Sequence, residues 1–415
     1  MALKPTRHKR QRSLIRRSPI MKHYIFFTRN TLPQPRADLV QVANCANAAA
    51  NLGYSTVLTY LSQQTNWRKP NAWISPFQPQ SPESGLSKFY NLQAHLRVAA
   101  LPIPWSLTRT QAGWANSSTI VCKYYLPVWM RAHTQLVHTR DWNFVKAAVA
   151  NGIPAIYEHH HHEAKQFEPE IVHHPLFQVA VTVADPVRDS MIAHGMPPHK
   201  VVKLHNGFNQ LFLKRQPNAA KAWRQKLLKS DLQKLVVYSG ALHPFKGVDL
   251  LLEVAQALPD VQFALAGGDA AQVNAYRTLA DQKQLRNVKF LGYVLHEQLA
   301  SLLQAADVLA HPHCTGKAAT FTSPLKFFDY MASGTPIVSS EIPPLMEFQP
   351  TGVVAGWCKP DSSVAFTETL LRVFASHPRK PDGYSNSMTF VQRFSWENRI
   401  AKILSYVDAS LRPVG

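Results

Sequence analysis

The sequence is poor in cysteine, and its few cysteines lie far apart. The 415 residues include four, Cys45, Cys122, Cys314 and Cys358, and no two of them form a Cys-x-x-Cys pair. This spacing excludes a disulfide framework and a cysteine-based zinc site, and it is typical of buried thiols in a reducing compartment. We therefore expect a cytoplasmic protein.

Long apolar runs are also missing, and no stretch is long enough to span a bilayer. Hydrophobic residues still make up 46% of the chain, which is typical of a globular protein. Because 415 residues exceed the usual size of a single core, we expect two domains.

Acidic residues are scarce: the chain has 25 of them and 45 lysines and arginines, which gives a net charge of +20. Residues 1–20 carry seven basic side chains and no acid, without the apolar stretch of a secretory signal. We expect them to form a disordered basic tail. A mis-assigned start codon is the alternative explanation, because the segment from Met21 already resembles the first strand of a domain.

A basic surface attracts nucleic acid, anionic membranes or anionic substrates. No nucleic-acid-binding motif accompanies the charge, so we do not expect a nucleic-acid partner. Peripheral contact with the anionic inner face of the membrane stays open as an alternative.

Strands and helices alternate along most of the chain, which predicts parallel sheets. One such array covers residues 21–212 and a second covers residues 231–385. We therefore expect an α/β protein with two doubly wound, Rossmann-like domains that face a cleft. Ser395 is placed to cap a final helix within residues 394–412.

The stretch from Phe321 to Val338 predicts a short helix followed by a buried strand. Ser323 is a suitable N-cap and Pro324 a suitable first helical residue, while Gly334 ends the helix. The helix start is a ready phosphate site, with Lys326 close by. Asp329 lies one turn further on, where its carboxylate could accept a hydrogen bond from a ribose hydroxyl.

This stretch resembles the donor-site segment of the retaining glycosyltransferases of family 4, which have the GT-B fold. The resemblance implies that the last helix crosses back to the first domain. It also implies that the helix start at Ser323, Leu325 and Lys326 holds the diphosphate of a nucleotide-sugar donor, and that Asp329 holds the ribose. Phe321 stands where the family often has a glutamate near the sugar.

Two loops of the second domain resemble further parts of that donor site. The segment from Gly240 to Gly247 implies that Gly240 and Lys246 bind the donor diphosphate, while Ala241 stands where arginine is frequent. Lys246 is also expected to be catalytic, because it supplies the positive charge that the departing diphosphate needs. Gly292 and Tyr293 match the loop beneath the nucleobase. No Asp-x-Asp motif occurs in the chain, which favours a route without a metal ion or another cofactor.

Four consecutive histidines follow the strand that ends at Glu158. Such a run suggests a metal site, but neighbouring residues on a strand point to opposite faces, so adjacent histidines do not converge easily on one ion. The resemblance assigns a sugar-facing, catalytic role to His160, with His161 as the competitor.

The sequence thus predicts a retaining, metal-independent glycosyltransferase. Its partners would be a nucleotide-diphosphate sugar and an acceptor glycan, lipid or small molecule. Alternatives are a sugar-nucleotide epimerase of the same fold, a catalytically weakened relative that acts as a binding protein, and a basic nucleic-acid-binding protein.

Overall fold

The computed structural model describes residues 21–63, 74–103, 117–230 and 233–414. The expected basic tail, residues 1–20, lies outside these ranges. Within them, no helix is both long and apolar enough to cross a membrane.

Seven parallel strands form the first sheet, in the order β3-β2-β1-β4-β5-β6-β7. The strands are β1 (His23–Phe27), β2 (Thr56–Ser62), β3 (Arg97–Pro102), β4 (Thr134–Thr139), β5 (Ala155–Glu158), β6 (Phe177–Thr182) and β7 (Val201–Lys203). The helices between them are α1 (Ala37–Asn51), α2 (Ser84–Tyr90), α3 (Ser117–Ile120), which continues into a π-helix (Val121–Met130), α4 (Trp142–Ala150), α5 (Pro169–Val172) and α6 (Asp185–Ala193).

Six parallel strands form the second sheet, in the order β10-β9-β8-β11-β12-β13. They are β8 (Leu235–Ser239), β9 (Gln262–Ala266), β10 (Val288–Gly292), β11 (Val308–His311), β12 (Ile337–Ser340) and β13 (Gly356–Cys358). The helices from this part of the chain onward are α7 (Pro217–Leu227), α8 (Val248–Ala257), α9 (Ala270–Gln282), α10 (His296–Ala305), α11 (Leu325–Ser333), α12 (Ser363–Ser376), α13 (Ser385–Val391) and α14 (Trp396–Ser405).

Both sheets are covered by apolar clusters on their two faces, which explains why their strands are almost continuously buried. In each sheet the strand order reverses once, between β1 and β4 and between β8 and β11. A crevice opens at the carboxyl ends of the strands at such a reversal, and ligands bind there. The predicted fold class, two doubly wound domains, is confirmed.

The last helix returns to the first domain, as expected. Trp396, Ile400 and Ile403 on α14 share one buried cluster with Val42 and Ala46 on α1. Ser395 caps this helix, because its hydroxyl accepts a hydrogen bond from the amide of Asn398 at 3.1 Å.

The prediction for the start of α11 was wrong for both Ser323 and Pro324. The helix begins at Leu325 with Pro324 in the N-cap position, and no side chain caps it. Ser323 does not serve as the cap, because its hydroxyl accepts instead from the amide of Asn206, at the end of the first domain. The predicted end is correct, since Gly334 closes the helix in the left-handed conformation with a φ of 67°.

Candidate functional site

Glycines bring the carboxyl ends of three strands in the second sheet close together. Gly240 follows β8 with a φ of 137°. A Cβ on Gly267, after β9, would lie 2.2 Å from the carbonyl oxygen of Gly240. The amide of Gly267 donates to the carbonyl of Gly292, at the end of β10, over 2.6 Å. The strand ends therefore present bare backbone at the crevice, which a ligand can approach closely.

Lys246 reaches this edge from a short 3₁₀ turn, Pro244–Lys246. The turn lies against the end of β11, because a Cβ on the following Gly247 would come within 1.6 Å of the Pro312 carbonyl oxygen. The Nζ atom of Lys246 lies 3.5 Å from Nε2 of His313. Burial lowers the pKa of this lysine to about 8.

Lys326 lies beside the same strand ends, in the first turn of α11. Its Nζ atom is 3.7 Å from the centre of the Tyr238 ring and 3.6 Å from the place where a Cβ on Gly240 would lie. Burial, together with the charge of Lys246, lowers the pKa of Lys326 well below its usual value. Among the described residues neither lysine forms an ion pair with an acid. Two desolvated lysines without a counter-charge gain from a bound anion, because it stabilises their protonated form.

The start of α11 adds backbone donors. With no side-chain cap, the amides of Leu325 and Lys326 belong to the first turn and need a partner. Ser323, which is also predicted to take part in this site, forms hydrogen bonds with the first domain. Its hydroxyl accepts from the amide of Asn206 at 3.2 Å, and its carbonyl accepts from the Asn206 side chain at 2.6 Å.

Asp329 follows one turn later on α11. Burial raises the pKa of its carboxyl group well above the usual value, although a hydrogen bond from the backbone amide of Asn209 opposes the shift. A carboxyl group in such surroundings gains from a further hydrogen-bonding partner. Its predicted partner, a ribose hydroxyl, stays a prediction.

Tyr293 extends from the end of β10 to the first domain. Its ring stacks on Phe89 of α2 with centroids 4.8 Å apart and an interplanar angle of 10°. The hydroxyl of Tyr293 lies 3.4 Å from the carbonyl oxygen of Phe89. The neighbouring Gly292 has open space where its Cβ would lie. Their predicted place beneath a nucleobase therefore combines an open backbone with an aromatic contact between the domains.

His160 lies deeper than its expected sugar-facing role suggests. Its Nε2 atom lies 2.7 Å from a carboxylate oxygen of Glu158, and its Nδ1 atom lies 3.0 Å from Nη1 of Arg140. Because Arg140 can only donate, Nδ1 is the acceptor and Nε2 donates to Glu158. Burial and Arg140 lower the pKa of His160 to about 3, so the ring is neutral. Both ring nitrogens are occupied, and a bond to a sugar would need one of them released.

Within the histidine run, His161 and His162 contact Phe321 of the second domain. Their rings meet the ring of Phe321 edge-on, with centroids 5.4 and 5.5 Å away. His161 is exposed and also lines a cavity in the first domain. Phe321 therefore lies at the junction between the two domains, next to the histidine run.

The cavity beside this run has a volume of about 680 Å³ and lies at the carboxyl ends of β1, β4 and β5. Its charged lining contains both signs. The acids and bases that line it are Arg29, Arg36, Asp38, Arg140, Asp141, Lys146, Glu158, Glu163, Lys165 and Glu168. Asp141 caps α4 through one carboxylate oxygen, and its other oxygen has no partner among the described residues. This cavity suits a polar, hydroxyl-rich molecule.

Sequence reasoning missed His313, Arg140 and the partners of Glu158. The only signal for His313 was a His-Pro-His run that begins with His311, the last residue of β11. Among the described residues, no group of three or more histidines, cysteines or acids has the geometry to hold a metal ion.

Residues 219–404, which cover the second domain and the last helix, match the family model described as glycosyl transferases group 1. The match supports the resemblance to glycosyltransferases over this part of the chain. A D-inositol 3-phosphate glycosyltransferase of Mycobacterium tuberculosis is 27% identical over 237 residues, which are 55% of this chain and 48% of the relative. The chain thus spans about half the length of the curated relatives that it matches.

Solved structures agree with the fold over nearly the whole chain. The Anabaena protein HepE in complex with UDP-glucose has a TM-score of 0.65 at 17% identity, covering 93% of this chain and 100% of that one. A glycosyltransferase from Rickettsia africae has a TM-score of 0.65 at 13% identity, covering 93% and 98%. The chain therefore has the GT-B architecture of these proteins.

Proposed function

We propose that this protein is a retaining glycosyltransferase that moves a sugar from a nucleotide-diphosphate sugar to an acceptor without a metal ion. The observation that carries the proposal is the pair of lysines, Lys246 and Lys326, at the strand ends of the second sheet. Both are desolvated, and neither has an acidic partner in the described part of the chain. A nucleoside diphosphate supplies the missing negative charge.

The chemistry follows from where charge develops. When the sugar departs, negative charge grows on the diphosphate, and fixed positive charge at that point lowers the barrier. Lys246, Lys326 and the first amides of α11 are placed to supply it. Asp329 is assigned to the ribose, while Gly292 and Tyr293 are assigned to the base.

The sugar would then lie between α11 and the histidine run of the first domain. His160 keeps its proposed role, which now requires one of its ring nitrogens to be released. His161, which is exposed beside Phe321, is the alternative and needs no such change. The cavity of the first domain is assigned to the acceptor.

Uridine diphosphate is the first donor nucleotide to test, since HepE carries UDP-glucose in a similar fold. Thermal unfolding of the purified protein with uridine, guanosine and adenosine diphosphates would identify the base by the largest rise in Tm. Transfer from the matching nucleotide sugar, in the presence of a chelator and with the product anomer assigned by NMR, tests the reaction. A product of inverted configuration would contradict the retaining mechanism.

A catalytically weakened relative is the second candidate, and one contact favours it. The apolar ring of Phe321 lies against His161 and His162, where the family resemblance places a carboxylate near the sugar. A protein that binds the nucleotide sugar but neither transfers nor hydrolyses it would support this alternative.

We also propose peripheral contact with an anionic membrane. Tyr124 and Val128, on the π-helix, are 58% and 64% exposed, with Lys123 and Arg131 beside them. Salt-sensitive sedimentation with vesicles of anionic lipid, compared with neutral lipid, tests this contact.

A further inference from the structure

Four basic side chains gather at the carboxyl ends of β8 and β11. Besides Lys246 and Lys326, they are His311 and His313, which flank Pro312 after β11. The rings of His311 and His313 lie 6.1 Å apart, and burial, together with the charges of Lys246 and Lys326, lowers the pKa of each histidine. Among these four, His313 is the one within hydrogen-bonding distance of Lys246.

The hydrogen bonds of His313 define its tautomer. Its Nδ1 atom lies 2.9 Å from the backbone carbonyl oxygen of Cys314. A carbonyl oxygen only accepts, so Nδ1 carries the proton and Nε2 is left with a free lone pair. That lone pair faces the Nζ atom of Lys246 at 3.5 Å, and the residue is only 1% exposed. His313 therefore accepts from the ammonium group.

The other groups around Lys246 do not neutralise its positive charge. The ring of Phe245, in the same turn, lies 5.0 Å from Nζ, and His243 stacks on that ring. Lys326, on α11, repels the ammonium group of Lys246 when it is protonated. Two carboxylates near this loop already have partners: Asp361 is engaged by Thr315 through its amide and hydroxyl, and Asp249 accepts from the hydroxyl of Tyr276 at 3.3 Å.

We propose that His313 is a positioning residue, whose neutral imidazole holds the ammonium group of Lys246 ready for the diphosphate of the donor. A carboxylate in its place would hold the lysine equally well but would cancel the positive charge that the diphosphate needs. A neutral acceptor orders the long lysine side chain and leaves its charge available. This inference rests on the proposed function, because it assigns the bound anion to the donor diphosphate.

Burial supports the neutral state, since it lowers the pKa of His313 to about 4. The imidazole then keeps its lone pair at neutral pH. Without this hydrogen-bond acceptor, the side chain of Lys246 would become ordered only when the ligand binds. The loss of conformational entropy would then lower the affinity.

The test is calorimetric titration with inorganic pyrophosphate, which probes the charge site without the base. The decisive variant is His313→Asn, whose shorter amide can still donate to the Cys314 carbonyl but cannot reach Lys246. We expect affinity to fall about 3- to 10-fold in His313→Asn and about 10- to 100-fold in Lys246→Ala. In the Lys246→Ala background, His313→Asn should have no further effect. His313→Gln, whose amide oxygen can replace Nε2, should recover most of the loss.

Equal losses from His313→Asn with and without Lys246 would show a merely structural role and overturn the inference. So would unchanged affinity in the single variant, or a Gln variant no better than the Asn variant. His194→Ala is the matched control and should bind normally, because this histidine lies in the first domain and its ring bonds to the Ser190 carbonyl of its own helix. If the unaltered protein binds neither pyrophosphate nor any nucleoside diphosphate, the proposed function fails together with this inference.

Discussion

Arg399, on the last helix, donates from Nη2 to a carboxylate oxygen of Glu158 at 2.6 Å, and both residues are almost completely buried. Glu158 ends β5 and also bonds to His138 and His160. One carboxylate therefore connects the C-terminal helix to the start of the histidine run. The contact joins parts of the chain that are 241 residues apart.

Replacing Arg399 should destabilise the whole protein. Arg399→Met leaves the Glu158 carboxylate buried with an uncompensated charge, which typically costs about 3–5 kcal/mol. We expect urea unfolding at pH 7 to report a loss of this order. The double variant Arg399→Met with Glu158→Gln should recover part of it, and a double variant no more stable than Arg399→Met would contradict this account of the pair.

As the pH falls, the protein should lose stability at a higher pH than protonation of its carboxylates alone would cause. Burial lowers the pKa of His159, His296 and His313 to about 4 and that of His160 to about 3. Unfolded histidines bind protons near pH 6.5, so the unfolded state takes up protons first as the pH falls. This stability is fully present above about pH 6.5 and is lost towards pH 3.

The free energy of unfolding, measured by urea at intervals from pH 7.5 to 4, should therefore fall as the pH falls. Its slope should correspond to more than one additional proton bound by the unfolded state. His296→Gln should reduce that slope. If the free energy of unfolding does not change with pH above pH 5, these rings take up protons as readily in the folded protein as in the unfolded protein.

Much of this architecture could be predicted from the sequence because its causes are local. Strands ending in glycine, such as the one before Gly240, and the glycine that ends α11 carry their own conformational signals. Ser323 was misjudged because its partner, Asn206, is 117 residues away. The surroundings of His160 were only partly visible, since Glu158 lies two residues away but Arg140 lies 20 residues away and reaches it through tertiary packing.

Binding of uridine diphosphate should weaken as the pH rises through 8. Burial lowers the pKa of Lys246 to about 8, and a lysine bound to an anion retains its proton to a higher pH. Deprotonation of the free protein should therefore reduce affinity about tenfold between pH 7 and 9. Lys246→Arg, which stays charged over this range, should flatten the profile while it keeps binding. The same slope in Lys246→Arg would assign the titration to another group.

Exchange of the neighbouring histidines separates the two candidates for the sugar contact. If His160 releases a ring nitrogen to the sugar, His160→Ala should reduce kcat with little effect on the affinity for uridine diphosphate. If His161 makes the contact, His161→Ala should show this pattern. His160→Ala should then mainly lower Tm, because it removes one partner each from Glu158 and Arg140. Full turnover in both variants would exclude both His160 and His161 from the reaction.

The most direct test of the central claim compares the binding of uridine diphosphate and of uridine by calorimetry. If Lys246 and Lys326 form the diphosphate site, the protein should bind the diphosphate far more tightly than the nucleoside. Lys246→Ala should weaken diphosphate binding by about 1.5–3 kcal/mol and leave uridine binding unchanged. Lys283→Ala, which removes an exposed lysine after α9, should change neither. Normal binding of every nucleoside diphosphate by Lys246→Ala would place the donor site elsewhere and contradict the account.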